Sequence, residues 1–254
     1  MDIHKPKPVH SWREFLTEIG TIICGIVIAL ALEQFVSNVE WDRKVLETRD
    51  ALGLEVADNL AKLHVRVQLS RCFGQRLDAL AVIVDRASKT GSLPPLAAPR
   101  SPGNHSWSTG VWNSALSSQT ASHFSAAQLR GYSRVYQIID RISELEPRDE
   151  AAWTTLFELA GPGRAFDAQD ARTYRTAIGQ AREINGLMSG FGARARQAVD
   201  GYHIPYDSKL FAEKTMPYLS KTSDCGPPTG TPPTSYGAAP DADFLNFALR
   251  HPTK

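Results

Sequence analysis

The sequence predicts an all-α protein: an N-terminal transmembrane helix, continuing into a long amphipathic helix, followed by a bundle of four or five helices. Three observations predict it. Residues 19–32 carry no charge and are mostly Ile, Leu, Val, Ala and Gly. From Val45 onward apolar residues recur at steps of three and four, the period of a helix with one buried face. No segment alternates apolar and polar residues at period two, as a half-buried strand would.

The first helix has a start signal. Pro6 and Pro8 hold the opening residues extended, and Ser11 with Glu14 has the spacing of a capping box. Fourteen uncharged residues are short for a bilayer, but Phe15 to Val36 spans 22 residues, about 33 Å of helix. Glu18 and Glu33 then lie near the ends. Trp12 and Trp41 are 29 residues apart, about 43 Å along a helix, and that matches one indole at each membrane interface. Two other readings stay open. A cleaved signal peptide fits the basic start and the Ala29-Leu30-Ala31 triplet, and a buried core helix fits the apolar run alone.

Lys5, Lys7 and Arg13 precede the span and Arg43 and Lys44 follow it, a slight bias toward a cytoplasmic N-terminus. The expected division is a short cytoplasmic tail at 1–11, a transmembrane helix with interfacial ends at 12–41, a helical domain at 42–200 and a Pro/Gly-rich tail at 201–254. In a Gram-negative cell this places the domain in the periplasm and the anchor in the inner membrane. Ile19, Gly20, Cys24, Gly25 and Ala29 lie in the span, and the small residues among them are spaced for close helix approach. The expected partners are therefore the lipid bilayer and a second copy or another envelope protein.

The run His10-Ser11-Trp12-Arg13-Glu14-Phe15-Leu16-Thr17-Glu18-Ile19-Gly20-Thr21-Ile22, with Gly25-Ile26 and Ala29-Leu30-Ala31-Leu32-Glu33-Gln34, resembles the opening of a family of small membrane-anchored proteins of alphaproteobacteria. The resemblance covers about 30 residues. It implies an anchor and carries no activity with it.

Beyond the anchor, Leu52, Val56, Leu60, Leu63, Val67, Leu77, Leu80 and Val84 mark one helix face to about Ser88, with a bend expected at Gly74. Residues 90–106 are rich in Pro, Gly and Ser and read as a loop. A helix is expected over 108–122, and another from the N-cap Ser125 to Leu145, ended by Pro147. A short one covers 149–160, closed by Gly161-Pro162, and a long one runs from Asp167 or Asp170 to about Val199. Ser208–Thr215 reads as a short helix, 226–240 as loop, and Asp241–Arg250 as a docking helix.

The chain has 28 basic and 27 acidic residues, so it lacks the basic footprint of a nucleic-acid-binding protein. None of its seven histidines has a partner at metal-ligand spacing, no C-x-x-C occurs, and Gly161-Pro162-Gly163-Arg164 lacks the lysine of a phosphate loop. No metal, cofactor or catalytic constellation is expected. Cys72 and Cys225 would be free to pair in an oxidising compartment, closing a loop of about 150 residues, while two free thiols are the alternative. Trp107, Trp112, Tyr132, Tyr136, Trp153 and Tyr174 fill a helical core or line a pocket between helices. The functional expectation is a non-enzymatic, membrane-anchored interaction or self-associating module. A periplasmic ligand-binding bundle is the alternative.

Overall fold

The computed structural model describes residues 12–103 and 105–219. It is all-α. Six helices occur among the described residues: α1 (Trp12–Gln68), α2 (Ser70–Thr90), α3 (Gly110–Ser117), α4 (Ala126–Phe157), α5 (Ala168–Tyr202) and α6 (Ser208–Leu219). A 3-10 turn lies at Thr120–His123, and Ser92–Leu93 (β1) pairs antiparallel with Arg164–Ala165 (β2). The described residues divide into two units, the first ending at Glu47 and the second beginning at Thr48.

The first unit is the opening stretch of α1. Ile22, Ile26, Leu30 and Phe35 are exposed, and an 18-residue window has a mean hydropathy of 2.3 with none of it buried. By length and composition this helix can cross a membrane. Thr17 and Thr21 turn their hydroxyls back to the carbonyls of Arg13 and Thr17, at 2.5 and 2.7 Å. Both groups are thereby satisfied without water. Ser11 of the expected capping box lies outside the described residues.

In the second unit α4 packs along α5, and α2 packs on α5. One part of the core gathers Phe73, Leu77, Leu80 and Val84 of α2, Trp153 and Leu156 of α4, and Tyr174, Ile178 and Ala181 of α5. Close approach of backbones is built in at two glycines. A Cβ on Gly192 would meet Val67 Cγ2 at 2.5 Å, and one on Gly131 would meet Tyr202 Cβ at 2.7 Å as well as Ile204. The caps of the two longest helices here are local. Ser125 accepts from Gln128 N and Gln128 returns the bond. Asp167 accepts from Gln169 N and Asp170 N while Asp170 accepts from Asp167 N.

Several boundaries differ from the sequence reading. The break after α1 falls at Leu69, not Gly74, where Asn185 Nδ2 takes the Ser70 carbonyl at 2.8 Å. The helix expected over 108–122 is split, because Gln119 has φ of +61°. Pro147 does not end α4, which runs on through it to Phe157 and absorbs the helix expected at 149–160. A proline inside a helix costs about 3 kcal/mol. Burial of Ala152, Trp153 and Leu156 beyond it contributes roughly 1.5–3 kcal/mol per large apolar side chain, so packing wins. The expected loop at 90–106 holds β1, and Leu96 bridges to Gly161. This ties the loop to the α4–α5 connection.

The segment expected as a tail begins inside the core. Ile204, Tyr206, Phe211 and Thr215 are buried, Asp207 N donates to the Gly53 carbonyl at 3.1 Å, and α6 extends through Pro217. Asp241–Arg250 and Cys225 lie outside the described residues.

Candidate functional site

The most developed polar site grows from four residues of α1. Glu55, Asn59, Lys62 and Arg66 follow one another at steps of four, three and four, so they share a helix face. Each fastens something different. Glu55 accepts from Val111 N at 2.9 Å and Trp112 N at 3.2 Å, capping α3 with a carboxylate from another helix. Tyr136 donates its hydroxyl to the same carboxylate at 2.5 Å. Asn59 trades two hydrogen bonds with the backbone of Ser108, at 2.6 and 2.9 Å. Lys62 donates to the Ser106 carbonyl at 2.6 Å and pairs with Asp58.

Arg66, like Asn59, is almost fully buried. It donates to Asn185 Oδ1 at 2.7 Å, meets Asp149 Oδ2 at 3.4 Å, and lies 5.3 Å from the Phe73 ring centroid. Burial lowers its proton affinity, while Asp149 and Glu146 oppose that. Burial likewise raises the Asp149 carboxyl, against the pull of Arg66 and the Trp153 indole. It raises that of Glu146 too, although Trp107 Nε1 donates to Glu146 at 2.9 Å. The neighbouring His105 imidazole is held below its ordinary value by burial and by Arg66 and Lys62.

Above this network opens a cleft of about 170 Å³. One wall is a single face of α4, comprising Glu146, Asp149, Glu150, Trp153, Thr154 and Phe157. The other is Ser101, Pro102 and Gly103. That loop is held by the Leu96–Gly161 bridge on one side and by the Arg76 guanidinium on the Arg100 carbonyl. Among the described residues no lysine or arginine lines the cleft itself, and Arg66 reaches Asp149 from behind its wall. Asp149 is 4% exposed, and its Oδ1 is buried with no hydrogen-bond partner among the described residues.

The six aromatic residues do not form one chamber. Trp112 stacks on Tyr136 with centroids 5.2 Å apart and planes 4° off parallel, and it lies 6.0 Å from Tyr132. Burial pushes the Tyr132 phenol up to about 12. Trp153 meets Phe73 edge-on at 6.2 Å. Tyr174 stacks on Phe166 at 5.9 Å and accepts from Arg164 at 2.8 Å. Trp107 sits by His105, half-buried. Five of the six are core residues.

Along the first unit Phe15, Ile19, Cys24, Gly25, Ala29 and Val36 are exposed, Gly20 is half-exposed, and Cys24 is a free thiol. Trp12 is exposed, and Trp41 carries the Lys44 ammonium 4.8 Å from its ring centroid. Cys72 is buried and disulfide-bonded, while the pairing with Cys225 involves a residue outside those described. Among the described residues, no three or more His, Cys, Asp or Glu side chains gather as a metal site would need. The Glu55–Arg66 row was missed in the sequence because its residues read as the solvated face of an amphipathic helix. Four-three-four spacing of large polar residues beside the apolar stripe was the available signal.

Protein-family models, curated proteins and solved structures were all compared with the chain, and none matches it.

Proposed function

We propose that this is a single-pass, membrane-anchored protein of the bacterial inner membrane whose helical domain acts outside the cytoplasm as a protein-interaction or self-associating module. The observation that carries the anchor is the bare apolar helix. A core helix of a soluble protein is mostly buried, whereas the hydrophobic window of α1 has no buried residue. Gly20 and Gly25 support close helix approach, since a Cβ on either would meet nothing within 4 Å. The non-enzymatic reading is supported by the interior of the second unit, where the polar row on α1 is engaged in fastening structure.

Sidedness and retention are tested together. Carbonate-washed membranes are expected to retain the full 27.9 kDa chain, with a membrane-impermeant maleimide reaching Ser117→Cys in intact spheroplasts. Release of a shortened chain lacking its first ~30 residues would identify a signal peptide instead. Crosslinking through Cys24 in native membranes is expected to give a dimer or one defined heteromer. A product that stays monomeric rejects the interaction reading while leaving the anchor intact.

A further inference from the structure

One face of α5 is open to solvent, and a covalent tether ends beside it. Glu183, Leu187, Gly190 and Arg194 follow one another at steps of four, three and four, share one side of the helix and are exposed. Leu187 is 39% exposed, and Phe191 next to it is half-buried, with the Arg194 guanidinium 5.7 Å from its ring centroid. A Cβ on Gly186 or Gly190 meets nothing within 4 Å, so the face has room for large side chains around Leu187. Glu183 pairs with Arg148 of α4 at 3.9 Å, both side chains being exposed, and a carboxylate accepts more than one donor.

The tether is a disulfide. Cys72 is disulfide-bonded and Cys24 is a free thiol, which leaves Cys225 as the partner among the chain's three cysteines. The turn of α2 that carries Cys72 packs on α5 at Asn185, immediately before Gly186. Asn185 Nδ2 donates to the Ser70 carbonyl at 2.8 Å and would lie 3.8 Å from a Cβ on Gly74. Residues 226–240 separate Cys225 from Asp241–Arg250, and a chain of that length spans roughly 20 Å. Asn185 to Arg194 is about 14 Å of helix, within that reach.

We propose that Asp241–Arg250, which lies outside the described residues and reads in the sequence as a docking helix, covers this face of α5 and runs antiparallel to it. Phe244, Leu245 and Phe247 then meet Leu187, Gly190 and Phe191. Asp241 and Asp243 reach Arg194, and Arg250 reaches Glu183. A parallel arrangement would set the two aspartates against Glu183 and Arg250 against Arg194. The tether holds the segment at an effective concentration on the order of millimolar, an advantage over a second copy of the chain. Docked, the segment withdraws this face from the surfaces open to a partner, however the chain is anchored.

The test places the photo-crosslinker p-benzoylphenylalanine at Leu187 of the full chain in nanodiscs, mixed from isotope-labelled and unlabelled copies, with peptide mass spectrometry as the readout. The expected product joins position 187 to residues 241–250 of the same copy. The same probe at the exposed Arg172, nearer the start of α5, is expected to give no such product. Phe247→Asp and Arg194→Glu are each expected to lower the yield about three- to tenfold, and Asp243→Arg to restore most of it beside Arg194→Glu. Opening the disulfide with dithiothreitol is expected to lower it by about the same factor. Helical circular dichroism separates lost docking from unfolding. The proposal is overturned by a product between copies, by one with lipid or another part of the chain in its place, or by no product. It is overturned equally if Phe247→Asp and the opened disulfide both leave the yield unchanged.

Discussion

Arg66 Nη2 lies 3.4 Å from Asp149 Oδ2 across 83 positions of sequence, with both side chains almost wholly removed from water. That separation is longer than a strong charge-assisted hydrogen bond, which lies near 2.7–2.9 Å. The shorter contact of the guanidinium is to Asn185, at 2.7 Å. The pair therefore joins α1, α4 and α5 without ideal geometry, and its value lies in the cost of breaking it. Asp149→Asn should destabilise the domain by about 3–5 kcal/mol, because it leaves a buried guanidinium uncompensated. Arg66→Met should cost less, since a lone buried carboxyl can take up a proton. The double variant Arg66→Met with Asp149→Leu should recover most of the loss. Urea midpoints of the four proteins check this, and additive single-variant losses would sink it.

The pH dependence has two opposing parts. For Glu146 and Asp149 the folded protein holds its proton more tightly than the unfolded chain does. Their contribution is therefore greatest in acid and is lost as pH climbs from the ordinary values of 4.5 and 3.8 through the raised, folded ones. His105 is lowered on folding, so protonation opposes the native state. Its contribution is regained as pH rises to its ordinary value of 6.5 and is level above that. Denaturation midpoints of His105→Phe should thus lack the rise below pH 6.5 seen in the parent. Glu146→Gln should show a shallower fall on the way up from acid. Parallel curves for all three proteins would refute both assignments.

Glycines on the same helices should behave in opposite ways. On α5, a Cβ at Gly186 or Gly190 meets nothing within 4 Å, whereas one at Gly192 runs into Val67. Gly186→Ala and Gly190→Ala should each stabilise by about 0.5–1 kcal/mol through backbone entropy. Gly192→Ala, and Gly131→Ala on α4, should destabilise by about 1–3 kcal/mol from overpacking. Thermal unfolding of the four variants decides it, and the reverse order at Gly190 and Gly192 would mean that the α1–α5 contact is wrong.

If α1 spans a bilayer, charge at its middle must be expensive. Each lysine there costs about 2.5–3.5 kcal/mol on insertion scales, so Ile26→Lys combined with Leu30→Lys should shift the chain from the membrane pellet to the soluble or degraded fraction. Leu46→Lys, beyond the expected span, should not. Equal retention of both variants after carbonate washing would count against a spanning helix.

How much of this was legible in the sequence depends on the range of the interactions. The caps at Ser125 and Asp167, the uncharged run from Ile19 to Leu32 and the apolar stripe through Leu52, Val56 and Leu60 are all local. Each is set by residues within about one or two turns, and each was readable from spacing alone. The passage of α4 through Pro147 was not, because a local penalty was outweighed by the burial of Trp153 and Leu156 against other helices. The burial of Ile204, Tyr206 and Phe211 was hidden for a similar reason. Their segment looks like a tail until Gly131 and Gly53 offer it a place to dock.

The sequence by itself determined the helical class, the exposed apolar helix at the N-terminus and the residues that start the long helices. These follow from side-chain periodicity and from backbone groups that nearby side chains satisfy. The tertiary structure alone decided that Glu55, Asn59, Lys62 and Arg66 turn inward, and that the six aromatics separate into different parts of the core. It also decided that Glu146, Asp149 and Glu150 line a cleft beneath the loop at Ser101–Gly103. The physical reason is that a polar residue's burial is fixed by partners that lie 39 to 119 positions away, and no local pattern encodes which partner will arrive.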